Sequence, residues 1–396
     1  MSYRASFALL LLLDTLFLLL EIPHLAISGH EAQLLYGAPS VVQMFSDFFI
    51  TLFGNNIYAL RLPFLLLHVS SVVLLYNIAE PYAKYERDRL WLVVIYMLLP
   101  GSNSAALLVD SAGLVIFCVM LYLYLYQNFG KRAYLLLPLL LFIDESFMFL
   151  FLALTLYAYE RHKRDLFLLG GALFIASLLL YGFDVGGVPR GRFLDTLGLY
   201  GAIFSPILFI YLFYVLYRTA LFGKKDQIFY IAATAFLLSI LLSFRQRVDV
   251  TAFAPFMMPA LILAMKHFFH AYRVRLKRFR NGYRLLFALI FITLIANALL
   301  TFFNKELYGI IDDPKRHFAY DYHISEALAR ALRMQAITCI ETDDTELRLQ
   351  LRFYGISACD IYKLEELPLQ SATSDVTIFH DTIPIYRANV TKIHNN

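Results

Sequence analysis

The chain reads as an all-α polytopic membrane protein of about eleven transmembrane helices that ends in a small soluble α/β domain. Of its 396 residues, 60% are hydrophobic and only 16% are charged. Apolar runs of spanning length alternate with short basic connections, and after Phe303 charges become frequent while apolar runs become short. Soluble domains carry about half apolar and a quarter charged residues, so a mean hydropathy of +0.63 excludes that class for the chain as a whole. Membrane lipids are the expected surroundings, and no nucleic-acid partner is expected.

A membrane-crossing helix needs roughly 20 apolar residues, with a lower limit near 17. Such spans are expected over 7–27, 58–78, 90–107, 111–127, 166–181, 199–217, 228–243, 250–269 and 285–303. The stretch 133–159 either goes out and back as two short helices turning at Asp144-Glu145-Ser146, or dips in as a re-entrant hairpin. The first run is either a cleavable signal peptide behind Met1-Ser2-Tyr3-Arg4 or an uncleaved helix; its length and the lack of a small-x-small site favour the helix.

Basic residues orient the spans. One set of alternate connections holds Arg4; Lys84, Arg87 and Arg89; Lys131 and Arg132; Arg161, Lys163 and Arg164; Arg218, Lys224 and Lys225; and the dense run from Lys266 to Arg284. The opposite set carries only Arg61, Arg190, Arg192, Arg245 and Arg247. The positive-inside rule makes the first set cytoplasmic, with the N-terminus. An odd number of crossings then puts the last residues outside. The expected domains are a transmembrane part, 1–303, whose outer loop 28–58 carries interfacial helices, and an outer α/β domain, 304–396.

Within that outer domain the alternation of helical and strand periods predicts helices over 320–333 and 345–354, with strands over 337–341, 360–363, 376–379 and 383–388. Cys339 and Cys359 fall there. They form a disulfide if their strands are neighbours in an oxidising compartment; two buried free thiols are the alternative.

Ionisable groups in or beside a bilayer are costly and call for a partner or a purpose. The first span carries Asp14, Glu21 and His24 on one helical face. Interhelical hydrogen bonding is the plainer reading for Asp14, while Glu21 and His24 lie nearer the outer surface and are placed to support a site. The outer loop adds Glu31 and Asp47, and Asp110 opens the fourth span, where an acid is an ordinary helix cap. Arg61, Arg245 and Arg247 are natural phosphate partners; snorkelling to headgroups is the alternative.

Taken in order, the outer acid after the first span, Leu52-Phe53-Gly54, Ala59-Leu60-Arg61-Leu62-Pro63 and Asp110 opening the fourth span resemble the GT-C superfamily of membrane glycosyltransferases. The bacterial branch that includes protein O-mannosyltransferases and the aminoarabinose transferase of lipid A is the most similar. Pro255 and Pro259 after Arg247 and a soluble outer C-terminal domain agree with it. The resemblance implies a bacterial inner-membrane protein, a polyprenyl-phosphate sugar donor, a glycan, lipid or protein acceptor at the outer face, and inversion at the anomeric carbon. It carries the family's first-loop Asp-Glu pair onto His30-Glu31 and its second-loop acid onto Asp110. Two departures stand out: His30 replaces the usual aspartate, and Ser40-Val41-Val42-Gln43 occupies the region of the family's His-Pro-Pro segment.

Chemically, such a transfer needs a base for the acceptor hydroxyl and a means to stabilise the leaving phosphate. Glu31 is the first choice as base; His30 is the alternative, since imidazole is half neutral near pH 6.5. Asp110 would orient the acceptor or assist the base. The phosphate would be met by Arg61, Arg245 or Arg247, or by a divalent metal held by Glu31 and Asp110. On this reading Glu31→Gln abolishes transfer and leaves folding intact. Two rival readings are a lipid or solute transporter, with Asp14, Glu21, Asp144 and Glu145 forming a path, and a degenerate scaffold whose outer domain binds a partner. No internal repeat of the kind transporters often show is visible.

Overall fold

The computed structural model describes residues 2–182, 191–311, 313–369, 374–380 and 383–393, so Arg190 lies outside the described residues. In chain order the helices are α1 (Tyr3–Glu21), α2 (Gly29–Tyr36), α3 (Val41–Phe53), α4 (Ile57–Ile78), α5 (Glu86–Met97), α6 (Pro100–Leu107), α7 (Ser111–Phe129), α8 (Leu137–Leu140), α9 (Phe147–Glu160) and α10 (Arg164–Tyr181). They continue with α11 (Phe193–Phe204), α12 (Pro206–Phe222), α13 (Gln227–Ser243), α14 (Ala254–Met257), α15 (Ala260–Val274), α16 (Asn281–Phe302), α17 (Asp321–Met334) and α18 (Thr345–Phe353).

Among the described residues, five helical stretches are long and apolar enough to cross a membrane: Tyr3–His24, Ile57–Tyr82, Ser111–Leu140, Arg164–Tyr181 and Lys277–Phe302. Counting each of two bent pairs as one span gives up to seven. The expected eleven crossings are not reached on that criterion, and backbone chemistry explains the shortfall. The run 90–107 bends by 63° between α5 and α6, where Pro100 opens the new helix. The run 199–217 breaks by 106° at Ser205, whose φ is 67°; Pro206 disfavours the helical region for the residue before it. Pro255 and Pro259 divide 250–269 into α14 and α15. The runs Phe147–Glu160 and Gln227–Ser243 survive as shorter apolar helices.

The stretch after α7 doubles back. Gly130 takes φ 59°, a left-handed value that glycine adopts without strain. The rings of Tyr126 and Tyr134 then lie only 6.1 Å apart, whereas eight residues along a straight helix would separate them by about 12 Å. A return limb therefore precedes the turn at Asp144, Glu145 and Ser146, in which the Asp144 carboxylate accepts the Ser146 amide at 2.9 Å. The stretch 133–159 is thus two short limbs joined by that turn, a form that both readings share.

Two compact units result: one comprises Met1–Leu18 and Phe64–Ala298, the other Leu19–Pro63 and Leu299–Asn396. The division falls inside α1, α4 and α16, so the second unit joins residues 19–63 to the C-terminal segment instead of beginning at 304. In the helical unit, α1 is fastened by Asp14, whose carboxylate meets His68 Nε2 of α4 at 2.9 Å. The His68 ring stacks on Tyr96 at 5.8 Å. This is the interhelical hydrogen bond anticipated for Asp14. At the other end, the buried Asp88 of α5 pairs with Arg273 of α15.

The second unit contains a four-stranded sheet of β1 (Glu341–Thr342), β2 (Tyr362–Glu366), β3 (Val376–His380) and β4 (Ile383–Lys392), in the order β1-β2-β4-β3. The β1–β2 pair is parallel and the other two are antiparallel. Helix α17 turns Ile324, Leu328 and Leu332 into the core at i, i+4, i+8 spacing, and α18 adds Leu347 and Leu351. Leu328 is fully buried, so Leu328→Ala would cost about 2–5 kcal/mol. The expected strand at 337–341 is reduced to an isolated bridge between Cys339 and Ser357 followed by β1. Cys339 and Cys359 are disulfide-bonded, which resolves the choice left open for them.

Candidate functional site

Ser28 sets the local structure of the segment after α1. Its extended backbone and its hydroxyl, which accepts the Glu31 amide at 3.3 Å, start α2. The Glu31 carboxylate answers by accepting the Ser28 amide through Oε2 at 2.9 Å. Together they make a capping box, in which two donors at a helix start are satisfied reciprocally. The sequence Ser28-Gly29-His30-Glu31 has the spacing that predicts one.

That geometry turns Glu31 inward. Its Oε1 accepts from Arg61 Nη1 at 2.9 Å and its Oε2 from Arg61 Nη2 at 3.2 Å. Arg61 comes from the first turns of α4, and its Nη2 also donates to the carbonyls of Ala26 at 2.8 Å and Leu25 at 3.4 Å. The two side chains are 1% and 0% exposed. A guanidinium gripping a carboxylate through two parallel bonds is the strong form of ion pair, and burial leaves it little screened by salt.

The loop segment is bound to the C-terminal part of the same unit by backbone-directed contacts. Ala26 N–H donates to the Tyr322 carbonyl at 2.9 Å, Ile27 N–H to the Tyr354 hydroxyl at 3.2 Å, and the Ser325 hydroxyl to the Ile27 carbonyl at 3.0 Å. Burial pushes the Tyr354 phenol up to about 12, so it stays a neutral partner at ambient pH. Further along, Gln33 Nε2 donates to Glu346 at 3.1 Å, Asn55 Nδ2 to the Phe353 carbonyl at 2.7 Å, and Arg352 lies 4.4 Å over the Tyr36 ring. Gly29 is needed at the closest approach: a Cβ there would stand 2.3 Å from Glu346 Oε2 and 2.9 Å from Glu346 Cβ.

The other anticipated residues are distributed as follows. His30 is exposed on α2, although its neighbour Glu31 is buried; His24 and Asp47 are exposed too, and Glu21 is partly buried near the end of α1. Asp110 belongs to the helical unit, where it caps α7 by accepting the Ser111 amide at 2.6 Å. Arg245 and Arg247 also belong to that unit and are exposed after α13, and Glu145 is exposed while Asp144 is partly buried. Of the expected site, the structure thus brings Glu31 and Arg61 into direct contact.

Among the described residues no group of three or more His, Cys, Asp or Glu side chains is arranged to hold a metal ion. The Glu31 oxygens face Arg61 and the Ser28 amide, so this carboxylate is turned to a cation the protein already supplies. The roles of His68 as the Asp14 partner and of the Tyr354 hydroxyl were missed in the sequence. A histidine inside an apolar span, seven residues from Arg61, the one charged residue of its own helix, gives no local signal of its partner. No protein-family model matches the chain, and no curated protein matches it.

Proposed function

We propose that this chain is a membrane glycosyltransferase that moves a sugar from a polyprenyl-phosphate donor to a hydroxyl acceptor, with inversion at the anomeric carbon. The observation that supports it is the Glu31–Arg61 pair. A carboxylate suited to take a proton and a guanidinium suited to hold phosphate are joined on the loop where the resemblance implies the catalytic acid. The resemblance implies Asp110 as the second acid.

With no substrate bound, each group neutralises the other. A donor phosphate offers Arg61 two acceptor oxygens, as the carboxylate does, so its arrival exchanges one anion for the other and frees Glu31. The acceptor oxygen then bonds to the anomeric carbon, and the bond from that carbon to the phosphate oxygen breaks. The lipid phosphate leaves with the electron pair, and the hydroxyl proton passes to Glu31. A positioned base typically contributes on the order of 10² to 10⁴-fold. The Cys339–Cys359 disulfide supports an oxidising surrounding for the second unit, in keeping with the outer placement expected from the basic connections.

The near-complete burial of both partners favours a second reading, a scaffold in which Glu31 and Arg61 only hold the loop. Reconstitution of the full chain in proteoliposomes with a polyprenyl-phosphate sugar separates the two. Release of free polyprenyl phosphate together with a glycosylated acceptor supports the transferase; intact donor alongside correctly folded protein supports the scaffold.

A further inference from the structure

The helical unit carries a cleft of about 570 Å³ between α12, the second half of α15 and the start of α16. Its volume lies within the roughly 300–1,000 Å³ of ordinary small-molecule sites. Ile210, Tyr211 and Leu286 supply apolar and aromatic walls, and Arg218 and Arg275 stand on its lining. Both arginines are exposed. Arg218 Nη1 donates to the Tyr214 hydroxyl at 3.1 Å, and the Arg275 guanidinium lies 5.1 Å from the centre of the Tyr283 ring. Both contacts orient the cations without neutralising them.

Among the described residues the lining of the cleft contains no carboxylate, and two carboxylates of this unit are engaged elsewhere. Asp88 pairs with Arg273, and Asp226 caps α13 and accepts from the Tyr82 hydroxyl at 2.7 Å. Among the described residues, the ion pairs within 4.0 Å include neither Arg218 nor Arg275. Two uncompensated guanidinium groups beside an apolar cleft, in the part of the chain richest in Lys and Arg, match a molecule that is anionic at one end and hydrocarbon at the other.

We propose that this cleft binds an anionic glycerophospholipid, with its phosphate on Arg218 and Arg275 and part of one acyl chain against Ile210, Tyr211 and Leu286. Guanidinium groups suit phosphate oxygens, and basic pockets between membrane helices hold lipid headgroups in this manner. Ordinary snorkelling of arginine to the bilayer surface would give no retention after the bilayer is removed. The proposal does not depend on the transferase reading.

Native mass spectrometry of the full chain, purified in detergent and titrated with phosphatidylglycerol or phosphatidylcholine, tests it. The expected result is about tenfold or greater occupancy by phosphatidylglycerol, from roughly 1 kcal/mol for each basic group, falling to the phosphatidylcholine level in Arg218→Gln/Arg275→Gln. Gly282→Leu provides a second variant with both charges kept: Gly282 lines the cleft and an added Cβ there meets nothing within 4 Å, so the larger side chain should occupy the space and lower retention. Equal retention of the two lipids, or undiminished phosphatidylglycerol in both variants, overturns the proposal. Displacement of phosphatidylglycerol by millimolar glycerol 3-phosphate overturns the lipid as the source of the phosphate.

Discussion

Glu31 and Arg61, thirty residues apart, close a bidentate ion pair at 2.9 and 3.2 Å with both side chains withdrawn from solvent. The pairing alters what a substitution at Glu31 means. Glu31→Gln keeps the shape and the capping box but strands the Arg61 charge in a buried site. Removing one partner of such a pair costs about 3–5 kcal/mol, so a loss of stability is predicted where the sequence alone led us to expect none. Thermal melts should show both Glu31→Gln and Arg61→Gln clearly destabilised, and the double variant recovering a large share of the loss; additive losses would mean that the pair is not coupled.

Gly29 gives a more local test of the clasp between α2 and α18. Gly29→Ala pushes a methyl group into Glu346, and the neighbouring Gln33–Glu346 hydrogen bond goes with it. Limited proteolysis should cut the segment after Ser28 faster in this variant, and Glu346→Gly in the same chain should restore protection. Unchanged cleavage would show that the close approach carries no weight.

Reduction of the disulfide should loosen the second unit. The Cys339–Cys359 bridge closes a loop of sequence separation 20, for which chain entropy gives about 3 kcal/mol. Cys339→Ser/Cys359→Ser should therefore lower the melting temperature of that unit, as should reductant on the wild type, with no further effect of reductant on the variant.

Acid should weaken the same unit through His323. Burial first, then the charges of Lys305, His317 and His380, lower its imidazole from 6.5 to about 3; its Nδ1 lies 2.9 Å from the Tyr308 hydroxyl. The unfolded chain binds this proton near pH 6.5 and the folded chain only near 3, so stability is full above 6.5 and is lost as pH falls through that window. Melts between pH 7 and 4 should show the decline, and His323→Gln should flatten it.

Much of the second unit was legible because its signals are local. The apolar spacing of α17 and α18 and the alternation in β2, β3 and β4 depend on neighbours in the chain, and the observed bounds differ from the expected ones by a few residues. The number of crossings was less legible: hydropathy does not register the sharp bends that Ser205-Pro206 and Pro100 introduce into apolar runs. At the site, Ser28 and Glu31 had the spacing of a capping box, and Arg61 was marked as an outer cation. Their pairing was invisible because a contact across thirty residues depends on where α4 begins relative to α2, and no periodicity encodes that. His30 shows the same limit in reverse, since one step along α2 carries it from the buried face to the exposed one.

If Glu31 takes the acceptor's proton while Arg61 holds the donor phosphate, both roles are removed in Glu31→Gln/Arg61→Gln, whose rate of sugar transfer in proteoliposomes is compared with wild type at matched folded protein. A loss of at least about 100-fold is expected, the lower range for a missing general base, in a chain whose melting shows it folded. Transfer at the wild-type rate by that folded double variant would contradict it and leave the pair a purely structural role.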